Sequence, residues 1–388
     1  MSRFVLKNGN VVFGNEIYKR DILIDNGIIE QISEKENEPK ILDCSSMYIV
    51  PGFIDTHTHG CGGFDFMDSD LHAYEVMSDC YLSNGVTTVF PTSVSSSNET
   101  LYSFLDFYQR MRDKVTVNMP GVHLEGPFIS SQMRGAHNIE YVHAPKQSEC
   151  EYLLGKYGGL ISMITAAPEI EGDMKYLIEY ALKNNIIMSL GHSAATAKEA
   201  IDAFKYGFKH VTHMYCATTS NRKIGQEVAA GIIDAAYLDE GIYIELIGDG
   251  KHIPKETMQL ALKIKTSDKV HLVSDSMRAA GTNVCESYLG EKCPQNRVII
   301  EEGVAKLPDR TSYAGSVATG AFMFKNAIKN FEIKMTDAVK MLSTTPSKLM
   351  GLHDRGEIAV GKRADILVFD KSLTLKKVIA GGKLYKEM

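Results

Sequence analysis

Two histidines one residue apart, His57 and His59, close an otherwise apolar run that begins at Tyr48. On a strand that spacing puts both rings on one face. Neutral imidazole is the commonest side-chain ligand of catalytic divalent metals, so the pair resembles half a coordination sphere. The plainer reading is two rings satisfied by backbone carbonyls at a strand end. Other segments answer the pair. The short apolar run 122–125 ends in Glu125, 186–190 leads to His192, 210–212 leads to His213, and 270–274 leads to Asp275. Glu125, His192 and His213 make a three-ligand set that leaves a divalent ion an open position for water. Such water has its pKa lowered to near 7. Asp275 is then the carboxylate expected to take its proton and return it to a leaving amine. His57 and His59 are placed to hold a second ion, with Glu125 shared between the two. No residue set for redox or covalent nucleophilic chemistry accompanies these groups, so the expected reaction is hydrolysis.

Five such groups at the C-terminal ends of five strand-like runs need an architecture that gathers strand ends on one face, and the parallel (β/α)8 TIM barrel does so. The middle of the chain alternates accordingly. Strand-like runs at 53–59, 86–92, 122–125, 160–167, 186–190, 210–213, 242–247 and 270–275 are separated by helical patterns near 70–84, 98–113, 173–184, 196–206 and 254–264. The two ends read differently, as short strands with turn punctuation. Asn8-Gly9 and Asn26-Gly27 between apolar runs are hairpin signals, and the segments 364–370 and 378–384 repeat the style. Neither end is long enough for a sheet of its own. The expected fold is therefore α/β: a TIM barrel over 51–354 with a small β-sandwich formed by 1–50 plus 355–388.

Composition supports an ordinary globular chain. The 388 residues suit a barrel plus one smaller module, and 44% hydrophobic with 23% charged residues is typical of soluble domains. A net charge of −6 with interspersed signs argues against nucleic-acid or membrane partners. No run approaches the length of a membrane span and the start lacks a signal-peptide core, so a cytoplasmic location is expected. Seven cysteines without a Cys-x-x-Cys pair indicate reduced, mostly buried thiols.

Several motifs in order resemble the amidohydrolase superfamily, and within it the N-acetylglucosamine-6-phosphate deacetylases. They are Pro-Gly-Phe-Ile-Asp-Thr-His-Thr-His-Gly (51–60), His-Leu-Glu-Gly-Pro-Phe (123–128), Gly-Ala-His-Asn (135–138), Gly-His-Ser (191–193), Thr-His-Met-Tyr (212–215), Asp-Gly-Lys-His (249–252) and Ser-Asp-Ser-Met-Arg (274–278). The resemblance implies a metal site at Glu125, His192 and His213, zinc or iron as the ion, and one or two ions per chain. Retention of His57 and His59 favours two. It implies Asp275 as the catalytic acid/base and His137, beside Ala136, as the group that polarises the acetamide carbonyl. Asp249, Gly250 and His252, together with Tyr313, Ala314 and Gly315, resemble further substrate-contacting segments. It also implies an amino-sugar phosphate as the small-molecule partner and a homodimer as the assembly.

One segment departs from that family. After Thr-His-x-Tyr the family has Asn-Ala-Met and then Arg-Glu-Pro-Gly, which grip the sugar phosphate; here the chain reads Cys216-Ala217-Thr218-Thr219-Ser220-Asn221-Arg222-Lys223. Ala217 is kept, and Arg222 is the residue expected to supply positive charge, with Lys223 and Lys251 in reserve. Recognition of a phosphate prefers a guanidinium in a fixed position. The altered segment keeps open a galacto-configured or unphosphorylated N-acetyl sugar, and, of another class, a sugar-phosphate-binding regulator without turnover. Among the remaining histidines, His72, His143, His210, His271 and His353 are expected to be structural or exposed, and Arg278 a surface or loop-anchoring residue.

Overall fold

The computed structural model describes residues 3–35 and 40–387. Residues 1, 2, 36–39 and 388, which fall within the sandwich limits drawn from sequence, lie outside the described residues. Eight parallel strands form the barrel in simple sequential order: β1 (Phe53–Thr58), β2 (Val86–Ser93), β3 (Val122–Glu125), β4 (Ile161–Ala166), β5 (Ile187–Leu190), β6 (Phe208–Val211), β7 (Tyr243–Ile247) and β8 (Val270–Val273). The ring closes just beyond β8, where Asp275 N–H donates to His57 O at 3.0 Å and His59 N–H donates to Ser276 O at 2.8 Å. Closure of the sheet therefore runs through the residues that carry the candidate chemistry.

The helices follow as α1 (Leu71–Ser83), α2 (Asn98–Met111), α3 (Gln147–Tyr157), α4 (Met174–Lys183), α5 (Ala197–Tyr206), α6 (Ile232–Leu238), α7 (Lys255–Lys265) and α8 (Gly320–Lys329). In α2 the side chains of Leu101, Phe104, Leu105, Tyr108 and Met111 form one buried stripe, the helical period that marks a face packed on the sheet. Its start is fixed by Ser97, whose hydroxyl accepts from Thr100 N–H at 3.1 Å. Helix α5 begins with a reciprocal Thr196/Glu199 capping box, a sequence-readable start signal. Helices α3, α6 and α8 were not anticipated, α8 because it lies beyond the strand–helix series read from the sequence. The first two each follow a long loop, and α6 has only seven residues, too few for a clear period.

The terminal segments join in one eight-stranded sheet that folds over a core of its own, including Phe4, Leu6, Ile22, Ile49, Ile366 and Ile379. Its two halves meet where Tyr48–Pro51 pairs antiparallel with Ile366–Phe369. Asn26-Gly27 is a hairpin turn with both φ positive, at 49° and 87°. Asn8-Gly9 is not. Phe4–Phe13 is a single strand there with a register shift between Leu6 and Gly9. Asn8 N–H donates to Asp21 Oδ1 at 2.7 Å, so the extra residue is absorbed as a bulge instead of a reversal. The thiols are free, as expected, but only Cys44, Cys61 and Cys150 are buried; Cys285 is exposed and the other three are half-buried. No helix among the described residues is long and apolar enough to cross a membrane.

Beyond β8 the chain forms a four-stranded antiparallel sheet, Glu286–Tyr288, Arg297–Glu301, Val304–Lys306 and Tyr313–Ser316, which the strand–helix alternation did not predict. Arg278 ties it to the barrel. Its guanidinium grips Asp68 bidentately at 2.8 and 3.0 Å and donates to Tyr288 O and Gly290 O. It is an anchor, and a buried one instead of a surface residue. The sandwich is fastened to the barrel by Phe369, packed against Phe324 of α8 and Phe53 of β1 with ring centroids 4.8 and 6.0 Å away. Phe369→Ala should cost about 3–5 kcal/mol of stability, read as a lower urea midpoint; an unchanged midpoint would show that these rings do not join the two parts.

Candidate active site

Three strand ends turn sharply as they leave the barrel. His192, His213 and Asp275 lie two residues past β5, β6 and β8 and have positive φ, at 49°, 25° and 46°. A non-glycine residue in that region costs energy and persists only where its surroundings enforce it. The turns aim the three side chains inward at Glu125, the last residue of β3.

Around that carboxylate the rings converge. Glu125 Oε1 lies 2.8 Å from His213 Nε2, 3.0 Å from His192 Nε2 and 3.4 Å from His57 Nε2. Glu125 Oε2 lies 3.3 Å from His137 Nε2 and 3.4 Å from His59 Nε2, and Asp275 Oδ1 is 3.2 Å from His59 Nε2 and 3.5 Å from His57 Nε2. All of these groups are buried. Burial disfavours charge on Asp275, yet the His57 and His59 imidazoles outweigh it and hold its carboxyl below the usual range. For His59 burial works downward and the Asp275 and Glu125 carboxylates upward, leaving its pKa raised to about 9. In His192 burial prevails and pushes it down to about 4.

Hydrogen bonds behind the rings separate ligands from donors. His59 Nδ1 faces Thr92 O at 3.2 Å, His192 Nδ1 faces Met133 O at 2.8 Å, His213 Nδ1 faces Cys216 O at 3.2 Å, and His57 Nδ1 faces Glu245 Oε1 at 2.8 Å. Carbonyls and carboxylates only accept, so each Nδ1 carries a proton and each Nε2 is turned to the centre, where a metal would take the place of any proton held there. His137 is the reverse. Ser95 N–H donates to its Nδ1 at 3.1 Å, so the neutral ring carries its proton on Nε2 and presents a donor. His57 Nε2 is buried without a hydrogen-bond partner. Four inward Nε2 atoms, one of them without a hydrogen-bond partner, beside two carboxylates fit a divalent-metal centre. Three overlapping groups are close enough to hold an ion, His57 with Glu125 and His213, His57 with His59 and Asp275, and Glu125 with His137 and His192, and Glu125, His192 and His213 lie within 3.1 Å of one another.

The centre floors a cavity of about 260 Å³. Among the residues expected to contact substrate, Ala136, His137, Cys216, Ala217, His252, Tyr313 and Gly315 line it. Asp249 stands behind His252, accepting from its Nδ1 at 2.8 Å. Gly250 lies in the same turn at φ 73°, and Ala314 is buried beside Tyr313. Arg222 is not brought to the cavity wall. It starts a two-stranded hairpin, Arg222–Ile224 with Glu227–Ala229, and its Nη1 reaches Ser220 O at 3.4 Å. Tyr215, Leu289 and Ser312 also line the cavity and were missed. Tyr215 lay inside a quoted motif; Leu289 and Ser312 belong to the unanticipated sheet region. Beneath the floor, His123, His210 and His271 form a polar layer inside the barrel, with His123 Nε2 bonded to Thr165 Oγ1 at 2.7 Å.

The fold and this centre are those of a (β/α)8 hydrolase, and the chain belongs to the amidohydrolase family, whose pattern it matches over residues 48–385. It is 30% identical over 373 residues to the N-acetylglucosamine-6-phosphate deacetylase of Haemophilus influenzae, covering 93% of each chain. It is also 30% identical over 344 residues to the N-acetylgalactosamine-6-phosphate deacetylase of Shewanella sp., covering 87% of this chain and 83% of that one. The crystal structure of N-acetylglucosamine-6-phosphate deacetylase from Pasteurella multocida aligns over 100% of both chains with a TM-score of 0.92 at 27% identity.

The tautomers make a direct prediction. His213→Ala should lose bound metal, whereas His137→Ala should keep the content of the unaltered protein, because the His137 Nε2 lone pair is taken up by its proton. Elemental analysis of the purified proteins decides it, and metal loss in His137→Ala would contradict the assignment.

Proposed function

We propose that this chain is a metal-dependent deacetylase that hydrolyses the N-acetyl group of N-acetylglucosamine 6-phosphate, giving acetate and glucosamine 6-phosphate. The observation that carries the reading is the opposed setting of the rings around Glu125: Nδ1–H of four rings is held from behind, turning their Nε2 to a metal, whereas Nδ1 of His137 accepts from Ser95 and leaves its Nε2–H for a substrate oxygen. Residues 51–354 form the catalytic barrel and the described residues of 1–50 and 355–388 the sandwich. Glu125, His192 and His213 would hold one divalent ion, and His57 and His59 would hold a second. Zinc and iron both suit imidazole and carboxylate donors. Such an ion supplies Lewis acidity and lowers the pKa of water.

The side chains do the rest. His137 Nε2–H donates to the acetamide oxygen and stabilises the charge that grows there as water adds to the carbonyl carbon. Asp275, held ionised by its neighbours, accepts the proton that the water gives up. It delivers that proton to the sugar nitrogen as the C–N bond breaks. His252, its Nδ1–H held by Asp249, faces the sugar together with Tyr313, whose ring lies 4.8 Å away. Ala136, Gly315, Ala217 and Cys216 shape the remaining wall. Ile224 and Val228, 58% and 71% exposed on the hairpin that starts at Arg222, support a homodimer, and the chain acts in the cytoplasm.

Asp275→Asn should lower kcat by at least about 10²-fold, the scale of general acid–base catalysis, with metal content retained; acetate release at the unaltered rate would reject the mechanism. Turnover of the gluco and galacto 6-phosphates and of unphosphorylated N-acetylglucosamine, compared as kcat/KM, tests the substrate. The gluco 6-phosphate is expected to lead. A lead for the galacto sugar or for the unphosphorylated one would reassign it.

A further inference from the structure

Glu245 occupies the middle of β7 with both neighbours, Ile244 and Leu246, fully buried on the helix-facing side. Its own side chain points into the barrel and is completely buried. A carboxylate there is costly unless charged or strong hydrogen bonds compensate, so packing does not account for it. One oxygen shows what does, while Oε2 has no hydrogen-bond partner and only His210 Nε2 3.9 Å away. Oε1 accepts from His57 Nδ1–H at 2.8 Å and from His213 N–H at 3.0 Å, while the Glu245 backbone carbonyl accepts from Met214 N–H at 2.8 Å. One residue thus holds a ring from β1 and the strained turn after β6.

The other rings around Glu125 are treated differently. His59, His192 and His213 lean on backbone carbonyls; His57 alone has a carboxylate behind it. A carboxylate at Nδ1 fixes the ring's tautomer and raises the donor strength of Nε2, and His57 Nε2 is the buried nitrogen without a hydrogen-bond partner. Glu245 also lies near His210 and His271, a trio whose ligand atoms fall within 4.8 Å of one another. Those two rings bond to each other Nε2 to Nε2 at 2.8 Å, so the pair is satisfied without an ion.

We infer that Glu245 is a positioning residue that readies His57 to bind the second of two metal ions, and that its shared oxygen links this ion's site to the strand end bearing His213. The inference rests on the metal-centre reading above and not on the identity of the sugar. Zinc binding to metal-stripped full-length protein tests it, followed by calorimetry and by elemental analysis after dialysis, with the visible spectrum of the cobalt-loaded protein as an independent readout. Glu245→Ala should weaken the second ion about 100-fold, and Glu245→Gln, whose amide oxygen still accepts both N–H groups, only about tenfold, the range typical for such supporting partners. The first ion, whose ligand His213 loses a backbone hydrogen bond in Glu245→Ala but not in Glu245→Gln, should be weakened less than the second, and the cobalt spectrum should change mainly in its second-equivalent component. Combining Glu245→Ala with His57→Ala should weaken binding no further than His57→Ala alone, the signature of a residue that acts through another.

Unaltered affinity for two ions in both Glu245 variants would overturn the inference. So would one ion in the unaltered protein, preferential loss of the first ion, or additive losses in the double variant. Should Glu245→Ala fail to fold, judged by its thermal melt, the Glu245→Gln isotherm alone decides. A wrong sugar assignment would show in the acetate assay and leave these isotherms untouched.

Discussion

Glu125 is a charge that the barrel has removed from water. An isolated carboxylate at that depth would be unstable, and the surrounding architecture reads as the answer to it: Nε2 atoms of His57, His59, His137, His192 and His213 within 3.4 Å of its two oxygens. Five rings meet at one carboxylate only if the strand ends that carry them meet, which is what barrel closure through His57 and Asp275 accomplishes. The strained turns at His192, His213 and Asp275 follow from the same demand. The backbone bends where a straight strand would send those side chains past the focus.

Pointing a ring is half of the requirement, since imidazole is a donor on one nitrogen and an acceptor on the other. The groups behind each ring settle which is which, and most belong to the backbone: Thr92 O, Met133 O, Cys216 O and Ser95 N–H. Loops that look irregular, such as the one from Pro127 to Asn138, are in this sense as specific as the strands. They deliver Met133 O to His192 and His137 to Ser95.

That division explains what could be read in the amino-acid order. His57, His59, Glu125, His192, His213 and Asp275 were legible because polar groups that end buried apolar runs are rare, and their recurrence at a strand–helix rhythm implies a shared face. Helices α2 and α5 were legible from period and caps. Ser95 was not, because its contribution is an N–H that every residue but proline has. Glu245 was visible only as one acid inside an apolar run, with nothing local to name its partners. The wall formed by Leu289 and Ser312 depends on an antiparallel sheet held by Arg278, an arrangement of residues 68, 278 and 290 that no sequence window contains. Arg222 failed in the opposite way: its charge suggested a ligand, but the pairing of Arg222–Ile224 with Glu227–Ala229 takes it away from the cavity.

The sandwich sheet draws its strands from both ends of the barrel, and that has a consequence for the order of events on the ribosome. When Tyr48–Pro51 emerges, its partner Ile366–Phe369 is unmade. At typical translation speeds the roughly three hundred residues between them take about 15–60 s to synthesise. During that time the first half-sheet presents a bare apolar edge, the kind that invites pairing with other chains. The catalytic barrel can assemble before its companion is complete, so Ile366–Phe369, made only after the barrel, seals that edge of the nascent chain against aggregation.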